Sequence, residues 1–159
     1  MTEQSPRTAP RARTMRFQGV ANRVVRALLA TPLVARGIGQ RLITVYVVGR
    51  KSGRRFSVPV AFTAHEGTLL IGTSFAWGRN LRTGEPVEVR YRGRRRTADV
   101  RVHTDEADVV GLYGVIARHN RQFAGFNGIG LDAAGTPRPE DLRAAWATGA
   151  RVLQLTVPD

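Results

Sequence analysis

Residues 42–63 read LITVYVVGRKSGRRFSVPVAFT, and this stretch decides the fold. Its first part, residues 43–48, is β-branched and aromatic and ends at Gly49. A basic turn follows over residues 50–55, and residues 56–63 again have the composition of a strand. Two such segments around a short polar turn predict a β-hairpin.

The rest of the chain continues this pattern of short strands. Further strands are predicted over residues 69–73, 87–91, 97–102 and 152–157, with one helical turn near residues 77–81. Helices are predicted over residues 105–118 and 139–146, and a long Gly-rich loop over residues 120–137. About six antiparallel strands with short turns and few helices predict a mainly β (α+β) fold, a small barrel.

The N-terminal residues differ in composition from the strand-rich part. Residues 1–14 combine Pro, Ser, Thr and Arg with few apolar side chains, which predicts a disordered arm. Residues 15–31 carry apolar side chains at helical spacing between arginines, which predicts an amphipathic basic helix. At 159 residues the chain fits one domain, predicted over residues 15–159. No apolar run is long enough to span a bilayer, which predicts a soluble or at most membrane-surface protein. We expect it in the cytoplasm, with peripheral membrane contact through the helix as an alternative.

Composition excludes several kinds of site and favours an anionic ligand. Cysteine is absent, which excludes disulfides, zinc–thiolate sites, iron–sulfur clusters and thiol nucleophiles. The formal net charge is +13, and Lys51 is the single lysine among 25 basic residues. The excess lies in residues 1–101, because residues 102–159 hold more acidic than basic side chains. Such a surface attracts anions, although part of the excess is also explained as solubilising charge.

Three familiar motifs fail on their spacing. The pair Lys51-Ser52 lacks the preceding glycines of a phosphate-binding loop and lies between two strands. The segment GTSFA at residues 72–76 lacks the second glycine of a nucleophile elbow. The three histidines stand too far apart for a local metal motif, so we predict no metal site; they are His65, His103 and His119.

The segment RYRGRRR at residues 90–96 is the feature that favours nucleic acid. However, Tyr91 shares a face with Val87 and Val89, which predicts a core position rather than a stacking surface. Basic side chains also protect a sheet edge from pairing with another edge, and this explanation is sufficient. We expect no nucleic-acid partner and keep a basic nucleic-acid-binding module as an alternative.

A series of short motifs, taken in order, is more specific. It begins with GRKSG at residues 49–53 and Pro59, and continues with GTS at residues 72–74, WGRNL at residues 77–81 and PVEV at residues 86–89. Through this series the chain resembles the deazaflavin-dependent nitroreductase family, a branch of the flavin/deazaflavin oxidoreductases. The resemblance implies a split β-barrel with an N-terminal amphipathic helix. It also implies a bound deazaflavin, coenzyme F-420, in preference to FMN.

The resemblance further implies which residues hold the coenzyme. F-420 has a phosphodiester and a poly-γ-glutamate tail, for which the turn would supply charge, a hydroxyl and backbone amides. Two small residues of the strand after the hairpin, Gly72 and Thr73, would let the flat ring approach the backbone. Residues 76–80 would close over the ring. For Trp77 and Asn80 a purely structural role stays open. The implied coenzyme-binding residues are Arg50, Lys51, Ser52, Phe56, Ser57, Val58, Pro59, Val60, Ala61, Gly72, Thr73, Ser74, Phe75, Ala76, Trp77, Gly78, Arg79 and Asn80.

The activity implied by the resemblance is hydride transfer to a small electrophile such as a quinone, enone or nitro compound. His119, Phe123 and Phe126 would contact this substrate, with the proton coming from solvent or His119, and no catalytic residue is assigned. The family places tyrosines in this region, whereas phenylalanines cannot donate a hydrogen bond, so quinones or enones are expected in preference to nitroimidazoles. Alternatives are a protein that binds FMN or haem-breakdown products, or one that only stores the coenzyme. A homodimer is compatible with each of these.

Overall fold

Seven strands and three α-helices form in residues 41–159, the part of the chain that the computed structural model describes. The strands are β1 (Leu42–Val48), β2 (Arg55–Ala61), β3 (Thr63–His65), β4 (Thr68–Thr73), β5 (Val87–Tyr91), β6 (Arg94–His103) and β7 (Arg151–Thr156). The helices are α1 (Glu106–His119), α2 (Arg121–Phe126) and α3 (Pro139–Ala147), and a short 3₁₀ helix covers Ala76–Asn80. The arm predicted over residues 1–14 and the helix predicted over residues 15–31 lie outside the described residues.

The strands form one antiparallel sheet in the order β2-β1-β5-β6-β7-β4-β3. Although β2 and β3 are the two edges, only Phe62 separates them in the chain, and the sheet curls accordingly. Strand β6 joins the two halves, because its first part pairs with β5 and its last part with β7. The resulting curled half-barrel confirms the predicted mainly β, split-barrel class. The strand predicted over residues 56–63 is divided in two, because the chain passes from one edge to the other at the buried Phe62.

Two hydrophobic cores lie on opposite faces of β4 and β7. Leu69 and Ile71 of β4 belong to the first core, inside the curl, whereas Leu70 belongs to the second core, beneath the helices. This alternation is the one that a strand imposes on successive side chains. The first core also contains Ile43, Val45 and Val47 of β1, and the second contains Val109, Tyr113 and Ile116 of α1.

Each helix begins where the sequence supplies a starting residue. The Asp105 carboxylate accepts a hydrogen bond from the Asp108 N–H at 3.2 Å at the start of α1, and Pro139 stands in the first turn of α3. Helix α2 lies inside the loop predicted over residues 120–137, where the Asn120 side chain accepts two backbone hydrogen bonds and starts the helix. Among the described residues, no helix combines the length and apolar character needed to cross a membrane.

Candidate functional site

The turn between β1 and β2 is held by its own hydrogen bonds. The Gly53 N–H donates to the Gly49 carbonyl and the Gly49 N–H donates to the Arg54 carbonyl, both at 2.8 Å. The Ser52 hydroxyl accepts a hydrogen bond from the Arg54 N–H at 3.2 Å and lies 2.7 Å from the position of a Cβ on Gly49. Glycine is therefore favoured at position 49 by this close approach and at position 53 by a φ of +68°. The basic residues between the two glycines stay at the surface.

A single asparagine connects this turn to the 3₁₀ helix. Asn80 Oδ1 accepts a hydrogen bond from the Arg50 N–H at 3.2 Å, and Asn80 Nδ2 donates to the Trp77 carbonyl at 3.1 Å. Both polar groups of the amide therefore bind backbone. The side chain joins two parts of the chain that are 30 residues apart, which is the structural role left open for it by the sequence.

An open cleft of about 540 Å³ lies beside this junction. One part of its lining is apolar or aromatic and includes Tyr46, Val48 and Pro86. Charged side chains of the lining come from the turn, from β2, from the segment before β5 and from β5 itself. These charged residues are Arg50, Arg55, Arg82, Glu85 and Glu88.

One carboxylate of the cleft already pairs with the arginine of the turn. Arg50 Nη2 lies 3.4 Å from Glu85 Oε2, and both side chains are partly exposed. Exposed pairs of this kind are worth about 0–1 kcal/mol, so Glu85 would be a weak competitor for an anion at Arg50. Within residues 41–159, Arg82 forms no ion pair. An anion entering the cleft therefore meets one guanidinium directly and competes with a weak partner for the other.

Tyr46 organises a second group of charges at the edge of the same cleft. The guanidinium carbons of Arg55 and Arg95 lie 5.2 and 4.7 Å from the centre of its ring. Glu88 accepts hydrogen bonds from the guanidiniums of both Arg55 and Arg95. The bond from Arg95 Nη1 to Glu88 Oε1 measures 3.0 Å. The register explains the cluster, because Tyr46 lies opposite Ser57 of β2 and opposite Glu88 of β5. Glu88, held by two cations, is a more permanent part of the cleft than Glu85.

The structure brings two of the implied coenzyme-binding residues, Arg50 and Asn80, to the lining of the cleft. Lys51 and Ser52 are exposed in the same turn but do not line it. The implied residues of β2 lie on the edge strand and do not line the cleft either: Val58 and Val60 pack against the first core, Phe56, Ser57 and Pro59 are exposed, and Ala61 is half-buried.

The implied residues around the end of β4 pack mainly against other parts of the protein. A Cβ on Gly72 would stand 2.6 Å from Phe123 Cζ and 2.9 Å from Tyr113 Cε2, so aromatic rings of the protein fill the space beside this glycine. Buried Thr73 packs against Gly78, where a Cβ would lie 2.7 Å from the threonine methyl. Of the remaining residues, Trp77 packs against the first core, Phe75 is half-buried, and Ser74, Ala76 and Arg79 are exposed.

The implied substrate residues lie near the end of β4 rather than on the cleft. The Phe123 ring is 4.9 Å from the Tyr113 ring, and the Phe126 ring is 6.2 Å from the Phe75 ring. Phe126 is 58% exposed, which is unusual for a large apolar side chain. His119 is exposed at the end of α1. Implied substrate residues thus contact implied coenzyme residues at α2, where Phe123 packs on Gly72 and Phe126 lies beside Phe75. The junction of the turn with Asn80 joins implied coenzyme residues to one another.

Sequence reasoning missed most of the residues that line the cleft, above all Tyr46, Arg82, Glu85 and Glu88. A signal for two of them was present, because strand alternation puts Tyr46 and Glu88 opposite the core faces of β1 and β5. In the part of the chain that the structure describes, no three His, Cys, Asp or Glu side chains gather as a metal site would require.

Comparison with known proteins gives structural likenesses alone. No family model and no curated protein matches the chain. The crystal structure of the conserved hypothetical protein Rv2991 from Mycobacterium tuberculosis is similar with a TM-score of 0.46 and 9% sequence identity, over 81% of each chain. A candidate 5-nitroimidazole antibiotic resistance protein from Bacteroides thetaiotaomicron VPI-5482 has a TM-score of 0.41 and 12% identity, also over 81% of each chain. At this level of similarity neither structure assigns a function to the chain.

Proposed function

We propose that the protein binds a reduced deazaflavin coenzyme of the F-420 type in the cleft and passes its hydride to a small electrophile. The observation that supports this most directly is the 3.2 Å hydrogen bond from the Arg50 N–H to Asn80 Oδ1. It joins the GRKSG turn to the WGRNL segment, two parts of the motif series by which the sequence resembles deazaflavin-dependent enzymes. Motif residues that are distant in sequence and converge at a cleft are typical of a ligand site.

The residues of the cleft suit a ligand with a flat ring and an anionic tail. Its volume of about 540 Å³ lies in the range of known cofactor and ligand sites. Tyr46, Val48 and Pro86 offer apolar surface for a ring. Arg50 and Arg82 offer planar N–H donors that match the oxygens of a phosphodiester or a carboxylate.

In the proposed reaction the protein binds and orients the coenzyme and the substrate. When bound, the deazaflavin supplies the hydride, which explains why no nucleophile or acid–base pair stands out in the sequence. Hydride transfer requires the substrate to contact the ring. Phe126, which is exposed beside Phe75 outside the cleft, therefore takes part only if the bound ring or the substrate extends from the cleft to the end of β4. A proton is taken from solvent or from His119. Because the phenylalanine side chains donate no hydrogen bonds, we propose quinones or enones as substrates in preference to nitroimidazoles.

Fluorescence titration with the coenzyme tests the role of the turn. Arg50→Gln should weaken binding about ten- to hundredfold, because a hydrogen bond to a charged group contributes about 1.5–3 kcal/mol. Lys51→Gln removes the same charge outside the cleft and should weaken binding by less than about threefold. Glu85→Gln should strengthen binding about two- to fivefold, because it frees Arg50 from an exposed ion pair worth about 0.2–1 kcal/mol.

Equal losses in Arg50→Gln and Lys51→Gln would mean that the turn contributes only general positive charge. If the wild-type protein binds FMN but not the deazaflavin, the proposed identity of the coenzyme is wrong. Reduction of a benzoquinone, followed by the absorbance of the reduced coenzyme, then tests the activity. Tight binding of the coenzyme without turnover of a quinone, an enone or a nitro compound would favour the storage alternative.

A further inference from the structure

Two arginine side chains approach each other's segments beside the 3₁₀ helix, outside the lining of the cleft. Arg79 lies in that helix, and Arg151 is the first residue of β7, where it pairs with Thr73 of β4. Arg151 Cδ lies 3.7 Å from the position of a Cβ on Gly78, and Arg79 Nη2 lies 4.0 Å from that of a Cβ on Gly149. The Arg151 side chain therefore reaches the backbone next to Arg79, and the Arg79 side chain reaches the backbone two residues before Arg151.

Residues 41–159 provide no counter-ion for this pair. In that part of the chain neither guanidinium forms an ion pair with a carboxylate. Arg151 is half-buried, and its burial, together with the positive charge of Arg79, lowers the pKa of its guanidinium. Two neighbouring like charges, one of them partly removed from water, cost folding free energy. If the side chains served packing alone, a neutral chain of similar length would serve without this cost.

We propose that Arg79 and Arg151 form a binding site for a phosphate group. Guanidiniums present planar sets of N–H donors that match phosphate oxygens in number and direction. A phosphate dianion neutralises both charges, whereas one carboxylate leaves a charge uncompensated. Neither arginine lines the cleft. Arg79 belongs to the set that the resemblance assigns to the coenzyme, but the phosphate site proposed here is separate from the cleft. The same chemistry accepts free phosphate or the phosphate of a monoester.

Calorimetric titration and thermal denaturation with inorganic phosphate test the site, with sodium chloride at equal ionic strength as the reference. The wild-type chain should bind phosphate and melt at a higher temperature than in chloride, because a ligand of the native state stabilises it. Arg151→Met keeps the length of the side chain and removes its charge. Its phosphate affinity should fall about ten- to hundredfold. Without phosphate it should melt at the same or a higher temperature than the wild type, because repulsion and desolvation are relieved.

Two further variants serve as comparisons. Arg79→Met should lose phosphate affinity to a similar degree. Arg143→Met, which removes an exposed arginine of α3, should leave phosphate binding unchanged. If Arg151→Met does not fold, Arg151→Lys keeps the charge without the planar donors and should still bind phosphate about tenfold more weakly.

The proposal is overturned if the wild type shows no phosphate effect beyond that of chloride, or if Arg151→Met retains the effect. Unchanged affinity in Arg151→Lys would also overturn it, because general charge attraction would then be sufficient. A titration with adenosine monophosphate identifies the source of the phosphate. Tighter binding than that of inorganic phosphate assigns the site to monoesters, and equal or weaker binding assigns it to the free ion. None of these measurements uses the deazaflavin, so the proposed function and this site fail separately.

Discussion

At the scale of single residues, Tyr113 combines a polar group with an apolar environment. Its side chain is fully buried in the second core, and its hydroxyl has no hydrogen-bond partner within the described residues. Burial raises the pKa of this phenol above the ordinary value of 10.0. The hydroxyl therefore stays protonated in the folded chain and has a desolvation cost that no hydrogen bond offsets.

Tyr113→Phe should therefore raise the free energy of unfolding at pH 7.5 by up to about 1 kcal/mol. Above pH 10 the advantage of the variant should grow. The reason is that the unfolded phenol releases its proton there while the folded one keeps it, so wild-type stability falls by up to about 1.4 kcal/mol per pH unit. Urea denaturation at pH 7.5 and pH 10.5 measures both effects. A variant less stable than the wild type at pH 7.5 would instead point to an ordered water on the hydroxyl.

At the scale of elements, α2 directs two phenylalanines to different environments. Phe123 is half-buried against Tyr113 and Gly72, whereas Phe126 is 58% exposed and lies beside Phe75. The Asn120 side chain fixes the start of the helix, so both orientations are set by one short element. Packing therefore explains Phe123, while the exposure of Phe126 leaves it available to a substrate.

Phe123→Ala should lower the free energy of unfolding by about 2 kcal/mol, somewhat less than for a fully buried phenylalanine. Phe126→Ala should change it by less than about 0.5 kcal/mol, because the side chain is mostly exposed. In the proposed function, Phe126→Ala should instead reduce turnover of a quinone. Melting temperatures and steady-state rates separate the two roles. Normal turnover with a lowered melting temperature in Phe126→Ala would assign this residue to docking of the helix.

The β1–β2 hairpin, α2 and the cleft show what the sequence could and could not predict. The β1–β2 hairpin was predictable, because a β-branched run on each side of a glycine-bounded turn has few other solutions. Helix α2 was missed because Asn120 ends α1 and starts α2 at once, leaving no loop between them. The cleft was beyond sequence reasoning for another reason. Alternation shows which face Tyr46 and Glu88 occupy, but their contact depends on β1 and β5 being neighbours, which only the long-range strand order determines.

At the scale of the whole molecule, the positive charge of the sequence is placed unevenly on the sheet. Arg90 of β5 stands directly opposite Arg95 of β6, and like charges in that position are unfavourable. Arg92, at the tip of the same hairpin, lies 5.1 Å from the centre of the Tyr91 ring. With a formal net charge of +13, the chain attracts polyanions whatever its function. A specific anionic ligand therefore has to be separated from this general attraction.

Ionic strength separates the two kinds of binding. A polyanion such as a single-stranded oligonucleotide releases condensed counterions from every phosphate it contacts, so its affinity should fall by at least about a hundredfold between 50 and 200 mM NaCl. The deazaflavin makes a few charged contacts and one ring contact, so its affinity should fall by less than about tenfold over the same range. Fluorescence anisotropy of a labelled oligonucleotide and titration of the coenzyme measure the two slopes. Arg50→Gln should change the coenzyme titration and leave the oligonucleotide slope nearly unaltered, because one side chain in the cleft contributes little to the charge of the whole molecule. If both ligands lost affinity equally with salt, the protein would bind the coenzyme through net charge alone. That result would contradict a specific coenzyme site and favour the nucleic-acid alternative.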